Sequence, residues 1–103
     1  MKHRSIDIEQ DNHAVAALAE AMLRLRTPAQ MQAFLEDLCT PAELEAMTDR
    51  WKVVPLLLEG LPYREIHDRT GVSVTTIGRV ARTLDRGAGG YAAALKRRAV
   101  RAV

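Results

Sequence analysis

The sequence predicts an all-α fold. Three observations carry that expectation. Ala, Leu, Glu and Arg recur along all 103 residues while aromatic residues make up 4%, a composition that favours helix over sheet. The punctuation Thr-Pro-Ala followed by Gln or Glu occurs twice, at Thr27 to Gln30 and at Thr40 to Glu43. A Thr N-cap, a Pro in the first turn and a Gln or Glu three residues on form a helix-start signal. Between these marks, apolar residues fall three and four apart, the spacing of one helix face.

Six helices follow in order. Residues 1–11 are polar and irregular and are expected as a flexible tail, leaving 12–103 as a single helical domain. Asn12 can cap a first helix reaching about Arg26, with Val15, Leu18, Met22 and Leu25 on its apolar stripe. Thr27 opens a second, which offers Met31, Phe34, Leu35 and Leu38. Thr40 opens a third, running to Glu59, with Leu44, Met47, Trp51, Val54 and Leu58 on one stripe and Val53 and Leu57 beside it. Pro55 lies inside that helix, where it removes a hydrogen bond to Trp51 and is expected to kink or break it. Gly60 suits a helix stop, and Pro62 opens the fourth helix. The run Arg86 to Gly90 reads as a flexible linker. Tyr91 to Val103 reads as the last helix, apolar at Tyr91, Leu95 and Val100 and basic at Lys96, Arg97, Arg98 and Arg101. The apolar faces of the first three helices are wider than one short chain can cover. A homodimer that buries them mutually is expected, with a monomeric bundle as the alternative.

The stretch Pro62 to Leu84 carries the chemistry. It reads as two short helices joined by a tight turn at Gly71-Val72-Ser73, a helix-turn-helix. Gly71 suits a backbone with positive φ. Ile66 faces a core from the first helix, and Val74, Ile77, Val80 and Leu84 from the second. The other face of the second helix holds Ser73, Thr75, Thr76, Arg79 and Arg82, and the next carboxylate is Asp85. Small hydroxyls and guanidinium forks without acids suit a helix that enters a DNA major groove. The expected contact residues are Arg64, Ser73, Val74, Thr75, Thr76, Arg79 and Arg82. The bland reading of the hydroxyls is that they only cap and solvate a helix start. Charge agrees with the DNA reading: residues 61–103 carry nine Lys/Arg against three Asp/Glu, and residues 1–60 six against ten, within a whole-chain +2.

Other chemistries find little footing. Cys39 stands alone, which rules out an internal disulfide and fits a reducing cytoplasm. His3, His13 and His67 lack metal-ligand spacing, so no metal or other cofactor is expected, and His67 reads as a surface residue, with the motif helix interface or a phosphate contact as alternatives. No phosphate loop or catalytic triad order is present, so no enzyme is expected. Residues 14–25, the best apolar stretch near the start, are interrupted by Glu20 and Arg24 and are too short to span a bilayer.

The run Cys39 to Leu84, with Gly87 to Tyr91, resembles the Trp repressor superfamily. The residues that carry this are Thr40-Pro41 and Glu43, Arg50, Arg64-Glu65-Ile66, Gly71, Thr76 to Val80, and Leu84. The tail from Gly87 to Leu95 looks most like the YerC/YecD group. The resemblance spans roughly residues 12–100. It implies an intertwined all-helical homodimer that controls transcription. The family's tryptophan pocket corresponds here to Thr40, Arg50, Arg79, Val80 and Thr83. Thr40, Arg50 and Arg79 match by type, but Val80 stands where the family's pocket has Gly. A branched side chain there fills the space an indole needs, which argues against tryptophan as effector. Arg50 and Arg79 remain able to hold another anion. The expected function is a sequence-specific, dimeric repressor that reads a palindromic operator on double-stranded DNA. The alternative is a helical protein-interaction module with no DNA target. RNA binding is weaker, because the few aromatics include Phe34 and Trp51 in apolar stripes rather than on a stacking face.

Overall fold

The computed structural model describes residues 4–95, with side chains described from residue 10 onward. It contains α1 (Arg4–Leu23), α2 (Pro28–Leu38), α3 (Pro41–Leu58), α4 (Tyr63–Thr70) and α5 (Val74–Arg86), with a sixth helical stretch, α6, over 90–95. No strand occurs among the described residues. The chain divides into two compact units, the first ending at Pro41 and the second beginning at Ala42. The basic run from Lys96 to Arg101, together with Val100 and His3, lies outside the described residues.

In the first unit, α1 starts at Arg4 instead of Asn12, so the stretch expected as a tail is already helical there. Nothing between Arg4 and Leu23 is Gly or Pro. Once a stripe further along pays for nucleation, adding residues to the helix end costs little. Thr27 is the N-cap of α2: its Oγ1 accepts from the Gln30 amide at 3.1 Å. The Gln30 side chain reaches back to accept from the Arg26 amide at 2.8 Å, one residue beyond the usual capping-box partner. Cys39 ends α2, half-buried, with its amide donating to Leu35. No residue described in this unit is buried. Val15, Leu23 and Leu38 are exposed, Leu23 by 81%.

The second unit holds the core, which consists of Val53 and Val54 from α3, Ile66 from α4, Val72 from the turn, and Ile77 and Val80 from α5. Leu57, Leu61, Leu84, Tyr91 and Leu95 pack around it. The apolar stripe expected along α3 therefore splits: Val53, Val54 and Leu57 turn to the core, while Met47, Trp51 and Leu58 are exposed. Pro55 does not break α3, which continues through it to Leu58. Pro55 is exposed, so the carbonyl it leaves without a helical donor is on a hydrated face, and the two buried valines before it hold the helix in place. The helix closes at Gly60, where φ is 82°, the Gly60 amide donates to Leu57 and the Leu61 amide to Leu56. That bond pair satisfies the last carbonyls and reverses the chain toward α4.

Candidate nucleic-acid interface

Local bonds fix the angle between α4 and α5. Gly71 caps α4 in the left-handed region (φ 77°, ψ −1°), and its amide donates to His67 at 2.8 Å. The Thr70 hydroxyl donates to the Ile66 carbonyl at 2.7 Å and accepts from the Val72 amide at 3.1 Å. His67 Nδ1 lies 2.7 Å from the Val72 carbonyl. A carbonyl only accepts, so Nδ1 carries the proton and donates. His67 thus ties α4 to the turn, the interface alternative rather than the plain surface role. Ser73 caps α5: its Oγ accepts from the Thr76 amide at 3.1 Å and lies 3.0 Å from the Thr76 hydroxyl. Both backbone groups of Val72 are satisfied, and its side chain is 3% exposed.

Here the expected core needs a correction. Val74 was expected to face the core, but it is 51% exposed, and Val72 takes that place. Helical periodicity starts only with α5 itself, so it says nothing about which turn residue points inward. Ile77 and Val80 are buried and Leu84 half-buried, as the spacing predicts.

Outside this core lies an open face. Arg64, Ser73, Val74, Thr75, Arg79 and Arg82 are exposed and Thr76 is half-buried. Arg64, Arg79 and Arg82 form no ion pair among the described residues. Two of the motif's acids are engaged elsewhere, Glu65 with Arg69 at 2.6 Å and Asp85 with Arg86 at 3.4 Å, and the third, Asp68, is exposed on α4. The face therefore presents donors and uncompensated positive charge, which is what phosphates and the acceptor-rich edges of guanine attract.

Of the residues matched to an effector pocket, Arg79 and Thr83 are joined within α5. The Thr83 hydroxyl donates to the Arg79 carbonyl at 3.0 Å, one helical turn away. Arg50 is half-buried on α3, and Thr40 is exposed at the end of the first unit. Val80 is 1% exposed and occupied by core packing. A separate apolar cleft of about 290 Å³ lies where α5 gives way to α6, lined by Thr83, Leu84 and residues 88–92. At Gly87, where α5 ends, a Cβ would collide with the Thr83 carbonyl oxygen. Of the effector-pocket residues, Thr83 lines this cleft, and Arg50 and Arg79 do not. Among the described residues, no cluster of His, Cys, Asp and Glu could hold a metal ion, and no helix is long and apolar enough to cross a membrane.

Two short helices at a locked turn with a cationic outer face, and no strand among the described residues, are of the class built by small helical DNA-binding regulators. Comparison with known proteins gives the family. The model of the family described as Trp repressor protein matches residues 13–99. YerC of Bacillus subtilis (strain 168), an uncharacterized protein, is 38% identical over 80 residues, covering 78% of this chain and 77% of its own. The crystal structure of a TrpR-like protein from Eubacterium eligens ATCC 27750 aligns with a TM-score of 0.76 at 36% identity, over 82% of this chain and 88% of that one. A second crystal structure, from Staphylococcus aureus, aligns with a TM-score of 0.77 at 33% identity, over 82% and 85%. The chain belongs to the Trp repressor family, in the group that includes YerC. That family is one of DNA-binding regulators, and its fold is all-helical.

Proposed function

We propose that this chain is a dimeric transcriptional repressor of the cytoplasm that reads a palindromic DNA operator, with α4, the turn and α5 serving as a helix-turn-helix. The observation that carries this is the outer face of α5, rich in donors and cations and held at a fixed angle by the bonds around Val72. Thr75 and Thr76 sit early in α5, where side chains of such helices best reach base edges. Ser73 already spends its oxygen on the cap, so its part is to present them. Arg82, later and longer, suits a phosphate, and Arg64 and Arg79 add charge on the same side.

The dimer part rests on the first unit. A helical segment with no residue buried among those whose side chains are described has little to hold it folded, and Val15, Leu23 and Leu38 stand exposed in it. A second copy of the chain supplies the missing cover and makes 12–103 one cooperative domain. Two copies of α5 then enter successive major grooves about 34 Å apart. Tryptophan is not the effector in this reading, because Val80 is committed to the core where an indole would lie. Arg50, half-buried with no ion-pair partner among the described residues, suits a different anion.

Selection of bound duplexes from a random pool tests the proposal. An imperfect palindrome with half-sites about one helical turn apart is expected. On that site Thr76→Ala should cost about 1–3 kcal/mol, and on random DNA little. The cap survives this change, because Ser73 is bonded to the Thr76 amide. Arg82→Ala should weaken both duplexes alike and flatten the salt dependence by roughly one contact per subunit. A protein that enriches no duplex is an interaction module, and the DNA reading is then wrong.

A further inference from the structure

Gly78 sits in the middle of α5, half-buried, and two side chains from different helices converge on it. The Arg82 guanidinium nitrogen Nη1 lies 3.5 Å from where a Cβ of Gly78 would be, and Tyr63 Cε2 lies 3.8 Å from the same point. Arg82 is one turn further along α5. Tyr63 is the first residue of α4. The charged end of Arg82, not its stem, has folded back onto the bare backbone. Cε2 is bonded to the ring carbon that carries the Tyr63 hydroxyl, so the polar end of the ring lies there as well. Both stand at ordinary contact distance from the place a methyl would take at Gly78.

Core packing does not account for this arrangement. Tyr63 is 41% exposed and Arg82 is exposed. Arg82 forms no ion pair among the described residues, and the acid three residues on, Asp85, is paired with Arg86. What remains is a cation and the edge of a phenol ring, one from each helix, that both approach Gly78 on an open face. A phosphodiester oxygen fits them: it takes charge-assisted bonds from a guanidinium, accepts from a hydroxyl, and asks for no acid nearby.

The geometry points to a composite phosphate seat at Gly78, in which Tyr63 and Arg82 hold one backbone phosphate of a DNA duplex between α4 and α5. This rests on the DNA-binding reading above and assigns Tyr63 to it. In this arrangement Arg82 supplies the charge and Tyr63 supplies direction. The phosphate touches both helices at once, which sets the depth of α5 in the groove.

The test is a double-mutant cycle with Tyr63→Phe, Arg82→Ala and the two combined, titrated against a fluorescein-labelled random-sequence duplex over a range of salt. Thermal unfolding of each variant confirms that the fold is kept, and Phe retains the ring that covers Gly78. Tyr63→Phe should weaken binding about threefold to tenfold, the worth of one hydrogen bond. It should leave the salt slope unchanged, because a neutral hydroxyl releases no counterion. Arg82→Ala should weaken binding and lower the slope. The double variant should lose clearly less than the product of the two single losses, since both act on one phosphate. If the unmodified protein binds no duplex, the DNA reading fails and the seat with it. If it binds and Arg82→Ala weakens it while Tyr63→Phe does not, the reading stands and the seat is wrong. Losses that multiply independently would show two separate contacts and also overturn the seat.

Discussion

The same chemical change, Gly to Ala, should have opposite effects at two positions seven residues apart in one motif. At Gly71 the backbone is left-handed (φ 77°), and a Cβ would meet nothing within 4 Å. Sterics with neighbours therefore add nothing, and the penalty is the conformational one alone, about 1–2 kcal/mol for an L-residue in that region. Stiffening the unfolded chain returns about 0.4–1 kcal/mol, which leaves Gly71→Ala destabilised by roughly 1 kcal/mol. Gly78 is inside α5, where Ala is favoured over Gly by up to about 1 kcal/mol. A methyl there would stand at ordinary contact distances from Arg82 and Tyr63, so it fits. The unfolded-state contribution is nearly common to both variants, so their difference reports the folded state and should be about 2 kcal/mol. Thermal unfolding at one fixed protein concentration reads it, because Tm of the proposed dimer would depend on concentration. For a chain of this length, roughly 4–8 °C accompanies each kcal/mol. Gly71→Ala should therefore melt several degrees below the unmodified protein and Gly78→Ala several degrees above it. Gly71→Asn should melt between Gly71→Ala and the parent, since Asn tolerates the left-handed region. Equal melting temperatures for the two Ala variants would refute the assigned backbone conformation at Gly71 or the helical environment at Gly78.

Three further outcomes can be checked directly. Ile77, fully buried between α3 and α4, should cost about 2–5 kcal/mol on replacement by Ala in urea unfolding, and a loss below about 1 kcal/mol would mean that α5 does not seal this core. Sedimentation at micromolar concentration should give a dimer, and a stable folded monomer of 11.4 kDa would remove the role given to the exposed apolar residues of α1 and α2. Calorimetry with tryptophan should show no heat of binding, whereas micromolar affinity would mean that Val80 does not block the site.

The helix starts and stops were the most legible part of the sequence. Thr27, Ser73, Gly60 and Gly71 act within one turn of their own positions, so a few adjacent residues suffice to read them. The exposure of Thr75, Arg79 and Arg82 was legible for a similar reason: with Ile77 and Val80 inward, helical geometry leaves them outward. What was not legible depended on partners or on turns. Val72 and Val74 exchanged places because the period of α5 does not reach back into the turn. Pro55 was tolerated because its face is exposed, a property of packing and not of spacing. Tyr63 escaped notice because its nearness to Gly78 joins two helices. The only available signal was a Gly in the middle of an otherwise well-formed helix, where it weakens the element unless something else uses the space.

The bonds around Val72 have a consequence for how such a protein could change. They run from Thr70, Ile66 and His67, all within six residues of it, and none involves the outward positions 75, 76, 79 or 82. If the motif reads DNA as proposed, presentation and readout rest largely on separate residues, with Ser73 and Thr76 the one pair that touches both. Replacing side chains at 75, 79 or 82 would then change which base pairs are preferred and leave the bonds around Val72 in place. A lineage carrying this turn could move from one DNA site to another by small steps, without passing through a form that cannot fold.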